Sequence, residues 1–124
     1  MIIGVGVDLV EVDRFRKILK KSGAHFLRRA FTSQERRYCE GRARPWESYA
    51  ARFAAKEAAL KALGLGIGHD RLTQIEVKCS NRHTPTLVLH GVAAREAKRQ
   101  RVKRCHLSLS HSSQSALAFV ILER

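Results

Sequence analysis

The sequence predicts a single α+β domain over residues 1–124. Three observations predict it: strand-like apolar patterns at both ends of the chain, a long alanine-rich helical stretch near its centre, and an apolar content of 44%. That content is ordinary for a globular protein, and the length is enough for one modest core. We therefore expect a small antiparallel sheet that packs against a long buried helix and shorter helices.

The chain begins with a strand and a basic helix. Residues 2–10 alternate and then run apolar, and Gly4 and Gly6 stand where side chains would crowd a neighbouring element. Helical spacing follows and predicts a helix that closes near Gly23. Its apolar residues, shared between the core and an exposed surface, are Phe15, Ile18 and Leu19.

Two further helices have clear start and stop signals. Residues 32–35, Thr-Ser-Gln-Glu, fit a capping box, which predicts a short helix that ends near Gly41. A break over residues 42–45 separates it from the long helix, because the residue before a proline avoids helical geometry. Three glycines, at positions 64, 66 and 68, mark the end of that long helix.

The second half of the chain alternates strand and helix signals. Two strands are expected within residues 72–80 and 84–91, around a turn at residues 81–84. A helix with a basic outer face follows over residues 91–103. Residues 105–124 predict a final hairpin whose last strand is apolar on both faces.

Charge and cysteine content restrict the functional classes. The chain has 24 Lys and Arg against 11 Asp and Glu, a formal net charge of +13, which favours an acidic or phosphorylated partner. The N-terminal apolar run is interrupted by Asp8 before it reaches signal-peptide length, and no stretch approaches a membrane span, so we expect a soluble cytoplasmic protein. Three widely spaced cysteines argue against a disulfide framework and are expected to be buried or unreactive thiols.

Three charged residues stand in apolar surroundings. Glu57 and Lys61 lie on the alanine-rich helix, and Asp8 lies on the first strand. A buried carboxylate must be paired, protonated or bound to a metal. An ion pair between Glu57 and Lys61 is the simplest explanation, but two carboxylates also suit Mg²⁺, which takes its remaining oxygens from water and substrate phosphates. Lys61 could then neutralise charge on a phosphate.

Several other functional signatures are missing from the sequence. It has neither a dinucleotide fingerprint nor a phosphate-binding G-x-x-x-x-G-K-[ST] loop. Its histidines lack zinc-site spacing. Ser110 and His111 are neighbours on a predicted strand and point to opposite faces, which argues against a nucleophile pair and leaves a phosphate-binding role for His111 open.

Taken together, the motifs resemble those of a known enzyme family. The segments IIGVGVDLVEVDRF, FTSQE, ARFAAKEAALKALGLGIG and SLSHSSQSALAFVILE occur in this order over nearly the whole chain. They resemble the holo-acyl-carrier-protein synthases, the short bacterial 4'-phosphopantetheinyl transferases. The resemblance implies Mg²⁺-dependent transfer of phosphopantetheine from coenzyme A (CoA) to a serine of an acidic acyl carrier protein, which releases adenosine 3',5'-bisphosphate.

The resemblance also assigns roles to individual residues. Asp8 and Glu57 would bind Mg²⁺, and Lys61 would stabilise or protonate the leaving phosphate. Glu57 or a metal-bound water would take the serine proton, and the sequence does not decide between them. The positions that match CoA-binding residues of the family, besides Lys61, are Arg52, Gly64 and His111. Arg14 matches the surface that meets the carrier protein, and the family implies a homotrimer with active sites between subunits.

Some features remain outside this resemblance. Where the family often has Gly-Lys-Pro, residues 83–85 read His-Thr-Pro, which removes a lysine from a turn near CoA. A transferase that serves the carrier domains of a specialised pathway is an alternative within the family. The basic run at residues 95–104 would also suit a nucleic-acid-binding module, but no aromatic residue lies within it to stack on bases, so we expect no nucleic-acid partner.

Overall fold

The computed structural model describes residues 1–66, 68–79 and 84–124. Most of the turn predicted at residues 81–84 lies outside the described residues, and so does His83. The elements, in chain order, are β1 (Ile2–Glu11), α1 (Val12–Ala30), α2 (Ser33–Glu40), α3 (Pro45–Leu63), a 3₁₀ segment (His69–Gln74), β2 (Ile75–Cys79), β3 (Pro85–Leu89), α4 (Gly91–Arg99), β4 (Arg104–His111) and β5 (Ser115–Glu123).

The strands form two antiparallel sheets. The larger sheet has the order β1-β5-β4, and β2 pairs with β3 in the smaller one. The predicted α+β class and the final hairpin are therefore confirmed. Its last strand, β5, is apolar on both faces but only one face is buried: alternate residues from Ala116 to Leu122 are buried, whereas Leu117 and Phe119 are 39% and 41% exposed on the opposite face.

Helix α3 is buried on nearly all sides, as its alanine content predicted. It begins with Pro45 in its first turn and ends at Gly64, which adopts a left-handed conformation with φ 73°. Among its buried residues are Arg52, Lys56 and Glu57. An alanine-rich surface lets other elements approach closely, so both the strand β1 and the central strand β5 pack against it.

Two glycines of β1 allow the closest of these contacts. A Cβ atom at Gly4 would lie 2.2 Å from the carbonyl oxygen of Ala62, and one at Gly6 would lie 1.8 Å from that of Ala58. No side chain fits in that space. The crowding that the sequence predicted at these glycines is therefore confirmed, and its cause is the backbone of α3.

The first helix differs from its prediction. Gly23 leaves helical geometry, with φ 51° and ψ −136°, but the helix resumes and continues to Ala30. The glycine therefore makes a kink and does not end the element, because the segment after it carries Phe26 into an aromatic cluster with Phe15 and Phe31. Of the three apolar residues singled out in this helix, Phe15 is buried, Leu19 packs against the core and Ile18 is 39% exposed.

A buried ion pair joins α2 to α3. The Lys56 ammonium donates to Glu35 Oε1 at 2.6 Å and to the carbonyl oxygens of Leu72 and Ile75 at 2.9 and 2.6 Å. Glu35 also closes the predicted capping box with Thr32. Burial lowers the pKa of Lys56, an effect that Glu35 partly offsets. All three ammonium protons have acceptors, so the charge is compensated where it is buried.

The sequence also made predictions about the cysteines and about membrane-spanning segments. All three cysteines are free thiols, and burial raises the pKa of Cys39 and of Cys105. Among the described residues, no helix has both the length and the apolar composition needed to cross a bilayer.

We predict that Gly6→Ala destabilises the protein by roughly 3 kcal/mol or more, because the new methyl group would overlap the Ala58 carbonyl. Urea denaturation of both proteins measures this difference. Gly41→Ala is the matched control, since a Cβ at Gly41 makes ordinary contacts of 3.6 Å. Equal loss of stability in the two variants would contradict the close β1–α3 contact.

Candidate active site

Asp8 and Lys61 meet across the contact between β1 and α3. The Lys61 ammonium donates to Asp8 Oδ1 at 3.2 Å and to the carbonyl oxygen of Val7 at 3.0 Å. The Asp8 side chain is 17% exposed and that of Lys61 is 44% exposed. Helical spacing alone did not predict this pair. It places a cation and a carboxylate together where solvent and a ligand can reach them.

Glu57 lies one helical turn before Lys61 and is only 7% exposed. Side chains four residues apart share one side of a helix, and the next residue, Ala58, is the one that packs on Gly6 of β1. The backbone contact thus brings Glu57 to the same side of α3 as Asp8 and Lys61. We call these three residues the β1–α3 cluster.

The cluster has the composition of a Mg²⁺ site that depends on its substrate. Among the residues that the structure describes, no group of three or more His, Cys, Asp or Glu side chains is arranged to hold a metal. Mg²⁺, however, is bound through one or two carboxylates plus substrate phosphates and water. Asp8 and Glu57 therefore fit a metal that arrives with a phosphorylated ligand, and do not fit a structural metal site.

Gly64 ends α3 three residues after Lys61. Its N–H donates to the carbonyl oxygen of Lys61 at 3.0 Å, and the N–H of Leu65 donates to that of Leu60 at 2.9 Å. These two bonds form a Schellman motif, which needs a left-handed residue and so favours glycine. A Cβ at Gly64 would meet no described atom within 4 Å. The turn is therefore open, and a ligand can approach its backbone.

The other predicted ligand-binding residues line a separate cavity of about 700 Å³. It lies between the α2–α3 connection, α3, the β2–β3 sheet and β4. Three arginines and a histidine are among the side chains that line it, and we call it the arginine cavity: Arg42, Arg44, Arg52 and His111.

Arg52 is the most unusual of these side chains. It is 4% exposed and stacks on the ring of Tyr38, with 4.0 Å between its guanidinium carbon and the ring centroid. Its terminal nitrogens contact neutral groups, the Ser48 hydroxyl at 3.0 Å and the Cys79 thiol at 3.3 Å. Its Nε is buried without a described hydrogen-bond partner. A buried guanidinium with neutral partners is stabilised when an anion binds beside it.

One carboxylate organises the opposite wall of the arginine cavity. Glu47 lies 3.5 Å from Arg44 and 3.9 Å from His111 Nδ1. Arg42 lies above the outer part of the cavity, with its guanidinium carbon 5.5 Å from the Tyr38 ring centroid. The described residues that line the cavity therefore combine three arginines with one carboxylate, and the cavity as a whole favours a negatively charged ligand.

The β1–α3 cluster and the arginine cavity lie on different sides of α3. Arg52 and Lys61 are nine residues apart, which is two and a half helical turns and therefore about 180° around the axis. Arg52 faces Tyr38 and β2, whereas Lys61 faces β1. One chain thus pairs Asp8 with Lys61 beside Gly64, carries Glu57 on the same side of α3, and separately lines one cavity with Arg52 and His111.

Comparison with known proteins assigns a family to this arrangement. A model of the 4'-phosphopantetheinyl transferase superfamily matches residues 4–120. The chain belongs to this superfamily. Relatives in it include the holo-[acyl-carrier-protein] synthases of Solibacter usitatus and Koribacter versatilis, which are 48% and 47% identical over 124 residues. Each alignment covers 99% of both chains.

Solved structures of superfamily members have the same fold. The crystal structure of holo-[acyl-carrier-protein] synthase from Neisseria meningitidis aligns over 100% of both chains with a TM-score of 0.90 and 34% identity. The Bacillus anthracis enzyme, in complex with CoA (3',5'-ADP), aligns over 98% of this chain and 96% of its own, with a TM-score of 0.79 and 38% identity. The resemblance inferred from the sequence motifs is therefore confirmed.

Sequence reasoning missed two cations of the arginine cavity. Arg42 and Arg44 fall in the break before Pro45, which was interpreted only as a helix boundary. A signal was available, since two arginines in a short connection that precedes a helix are typical of a loop that contacts an anion. Their convergence with His111, 67 or more residues away in the chain, required the tertiary structure.

Arg14, the predicted docking residue, is exposed in the first turn of α1. It is six positions along the chain from Asp8, which limits the distance between them to about 20 Å. Exposed cations continue along the helix at positions 16, 17, 20 and 21, although Arg16 also stacks on Trp46 at 4.4 Å. A strongly basic surface therefore begins within about 20 Å of Asp8.

Proposed function

We propose that the protein transfers the 4'-phosphopantetheine group of CoA to a serine hydroxyl of an apo acyl carrier protein. The products are holo acyl carrier protein and adenosine 3',5'-bisphosphate. The observation that carries this proposal is the Asp8–Lys61 pair at the close contact of β1 with α3, with Glu57 one helical turn before Lys61 on the same side of the helix. Membership of the superfamily and the similarity to synthases solved with CoA support it.

The arginine cavity would hold the nucleotide part of CoA. That part carries the 3'-phosphate and one end of the pyrophosphate, and the cavity supplies Arg42, Arg44 and the buried Arg52. Arginine binds phosphate through two parallel hydrogen bonds, and water is already displaced from the Arg52 guanidinium. We expect His111 to contribute a ring N–H to the same ligand.

The β1–α3 cluster would act on the pyrophosphate. The serine oxygen forms a bond to the phosphorus that carries pantetheine, and the bond from that phosphorus to the departing nucleotide phosphate breaks. Lys61 is exposed enough to turn from Asp8 to this departing phosphate, where its ammonium stabilises the growing negative charge or donates a proton. Mg²⁺ held by Asp8 and Glu57 would supply further positive charge to the pyrophosphate. Glu57 or a water molecule bound to the metal would accept the serine proton.

The basic surface of α1 would receive the carrier protein. Arg14 and its neighbouring cations complement an acidic partner, and this increases the rate of productive encounter. The half-exposed Ile18 lies among these cations and offers an apolar contact. Docking at α1 would place the acceptor serine near Asp8, because β1 leads directly into the helix.

The active enzyme is proposed to be a homotrimer with sites between subunits. The face of the larger sheet that is turned away from α3 exposes Val5, Val7, Leu9, Leu117 and Phe119. A continuous apolar face of this kind is typical of a surface that is covered by another subunit. The separation of Lys61 from Arg52 within one chain supports the same conclusion, since a neighbouring subunit would supply the missing half of each site.

An intact-mass assay tests the proposed reaction. Apo acyl carrier protein is incubated with this protein, CoA and Mg²⁺, and a parallel sample contains EDTA. A carrier that gains one phosphopantetheine only when metal is present supports both the reaction and the metal. No gain with several carriers, including those of specialised pathways, would overturn the proposal and favour the nucleic-acid alternative.

We predict that Glu57→Gln lowers transfer by about a hundredfold or more while the protein remains folded, because the amide neither holds Mg²⁺ nor accepts a proton. The mass assay measures the loss, and circular dichroism verifies the fold. Glu123→Gln, which removes a carboxylate at the far end of β5, serves as the control. A folded Glu57→Gln protein with normal transfer would rule out the proposed metal site.

We predict that Arg14→Ala raises the KM for the carrier protein by roughly three- to tenfold and leaves the KM for CoA unchanged, since one steering charge is lost. The effect should diminish as salt concentration rises. Arg95→Ala removes an exposed cation from α4 and is the matched control. Similar changes in both variants would mean that net charge matters and that α1 is not the docking surface.

We predict that Glu57→Gln and Arg52→Met complement each other. Neither variant alone transfers phosphopantetheine at limiting CoA, but joint refolding in equal amounts produces mixed trimers. About one quarter of the sites would then combine an intact β1–α3 cluster with an intact arginine cavity from the next subunit. Sedimentation establishes the oligomeric state. Mixed trimers without recovered activity would show that each site lies within one chain.

A further inference from the structure

A side-chain network on α4 holds the carboxyl end of α3. The Gln100 amide donates from Nε2 to the carbonyl oxygen of Leu63 at 2.7 Å and to Glu96 Oε1 at 2.7 Å. Arg99 donates two hydrogen bonds to the same carboxylate, at 2.6 and 3.0 Å. One amide group thus joins the last residue of α3 to a carboxylate that is itself fixed by a guanidinium.

The bond to Leu63 completes the end of the helix. The last carbonyl groups of a helix lack partners within it. The Schellman motif at Gly64 satisfies those of Leu60 and Lys61, whereas the Leu63 carbonyl takes its hydrogen bond from Gln100, 37 residues further along the chain. The direction in which the chain leaves α3 is therefore fixed by a side chain of another element.

We propose that Gln100 is a positioning residue for the turn that carries Lys61 and Gly64, and that it thereby sets the affinity for CoA. This inference rests on the proposed function, which assigns both residues to CoA. Gln100 and Glu96 line the same open depression as Lys61 and Gly64, so their network forms its supporting wall. Without the anchor, the left-handed turn at Gly64 has more freedom, and CoA must order it upon binding.

Glu96 accepts hydrogen bonds from both Arg99 and Gln100. Hydrogen bonds from Arg99 and Gln100 lower the pKa of Glu96 to about 2, so its carboxylate remains an ionised acceptor near neutral pH. Near neutral pH, protonation of Glu96 therefore does not release Gln100.

Hydrogen exchange tests the structural half of the inference. Gln100→Leu keeps a similar volume and removes the donor, and we expect exchange of the Gly64 and Leu65 amides to become about three- to tenfold faster, as for the loss of one hydrogen bond. Gln100→Lys restores a donor and should return exchange toward the wild-type rate. Gln34→Leu, at an exposed position of α2, is the matched control.

Steady-state kinetics and CoA binding test the functional half. We expect Gln100→Leu to raise the KM and Kd for CoA several-fold, with kcat and the KM for the carrier nearly unchanged, and Gln100→Lys to recover CoA affinity. Unchanged exchange at Gly64 and Leu65 would overturn the inference, and so would faster exchange with unchanged CoA affinity. If the wild-type protein neither bound CoA nor modified a carrier, the proposed function would fail, whereas the exchange rates would still decide whether Gln100 holds the turn.

Discussion

The close contact between β1 and α3 is the constraint on which the rest of the structure depends. Gly4 and Gly6 bring the strand backbone directly against the carbonyl groups of Ala58 and Ala62. At this separation Lys61 can reach back to Asp8 and to the Val7 carbonyl. A larger side chain at either glycine would push the strand outward and separate the two carboxylates of the proposed metal site.

A second interaction fixes the rotation of α3 about its own axis. Lys56 points into the interior and binds Glu35 and two carbonyl groups, whereas the next residue, Glu57, points about 100° away. The two charges are adjacent in sequence but have different tasks. Lys56 anchors α3 to Glu35 of α2 and to the carbonyl groups of Leu72 and Ile75. This anchor holds Glu57 on the side of α3 that contacts β1.

Two surfaces of the single chain favour association with further copies. The outer face of the larger sheet is apolar and exposed, and the buried Arg52 has neutral partners in a cavity remote from Lys61. A chain of 124 residues buries limited apolar surface by itself, so association through this sheet would add stability. In the proposed trimer, the same association would join the arginine cavity of one subunit to the β1–α3 cluster of the next.

The sequence by itself determined most element types and the family to which the chain belongs. The capping box at Thr32, Pro45 and Gly64 act within a few residues, so the local sequence was enough to locate these helix ends. Charges in apolar stretches identified the β1–α3 cluster. Only the tertiary structure decided that α1 continues past Gly23, that Lys56 pairs with Glu35, that Arg42 and Arg44 join His111, and that Gln100 binds the last carbonyl group of α3. These features depend on packing between distant segments, which local sequence patterns do not encode.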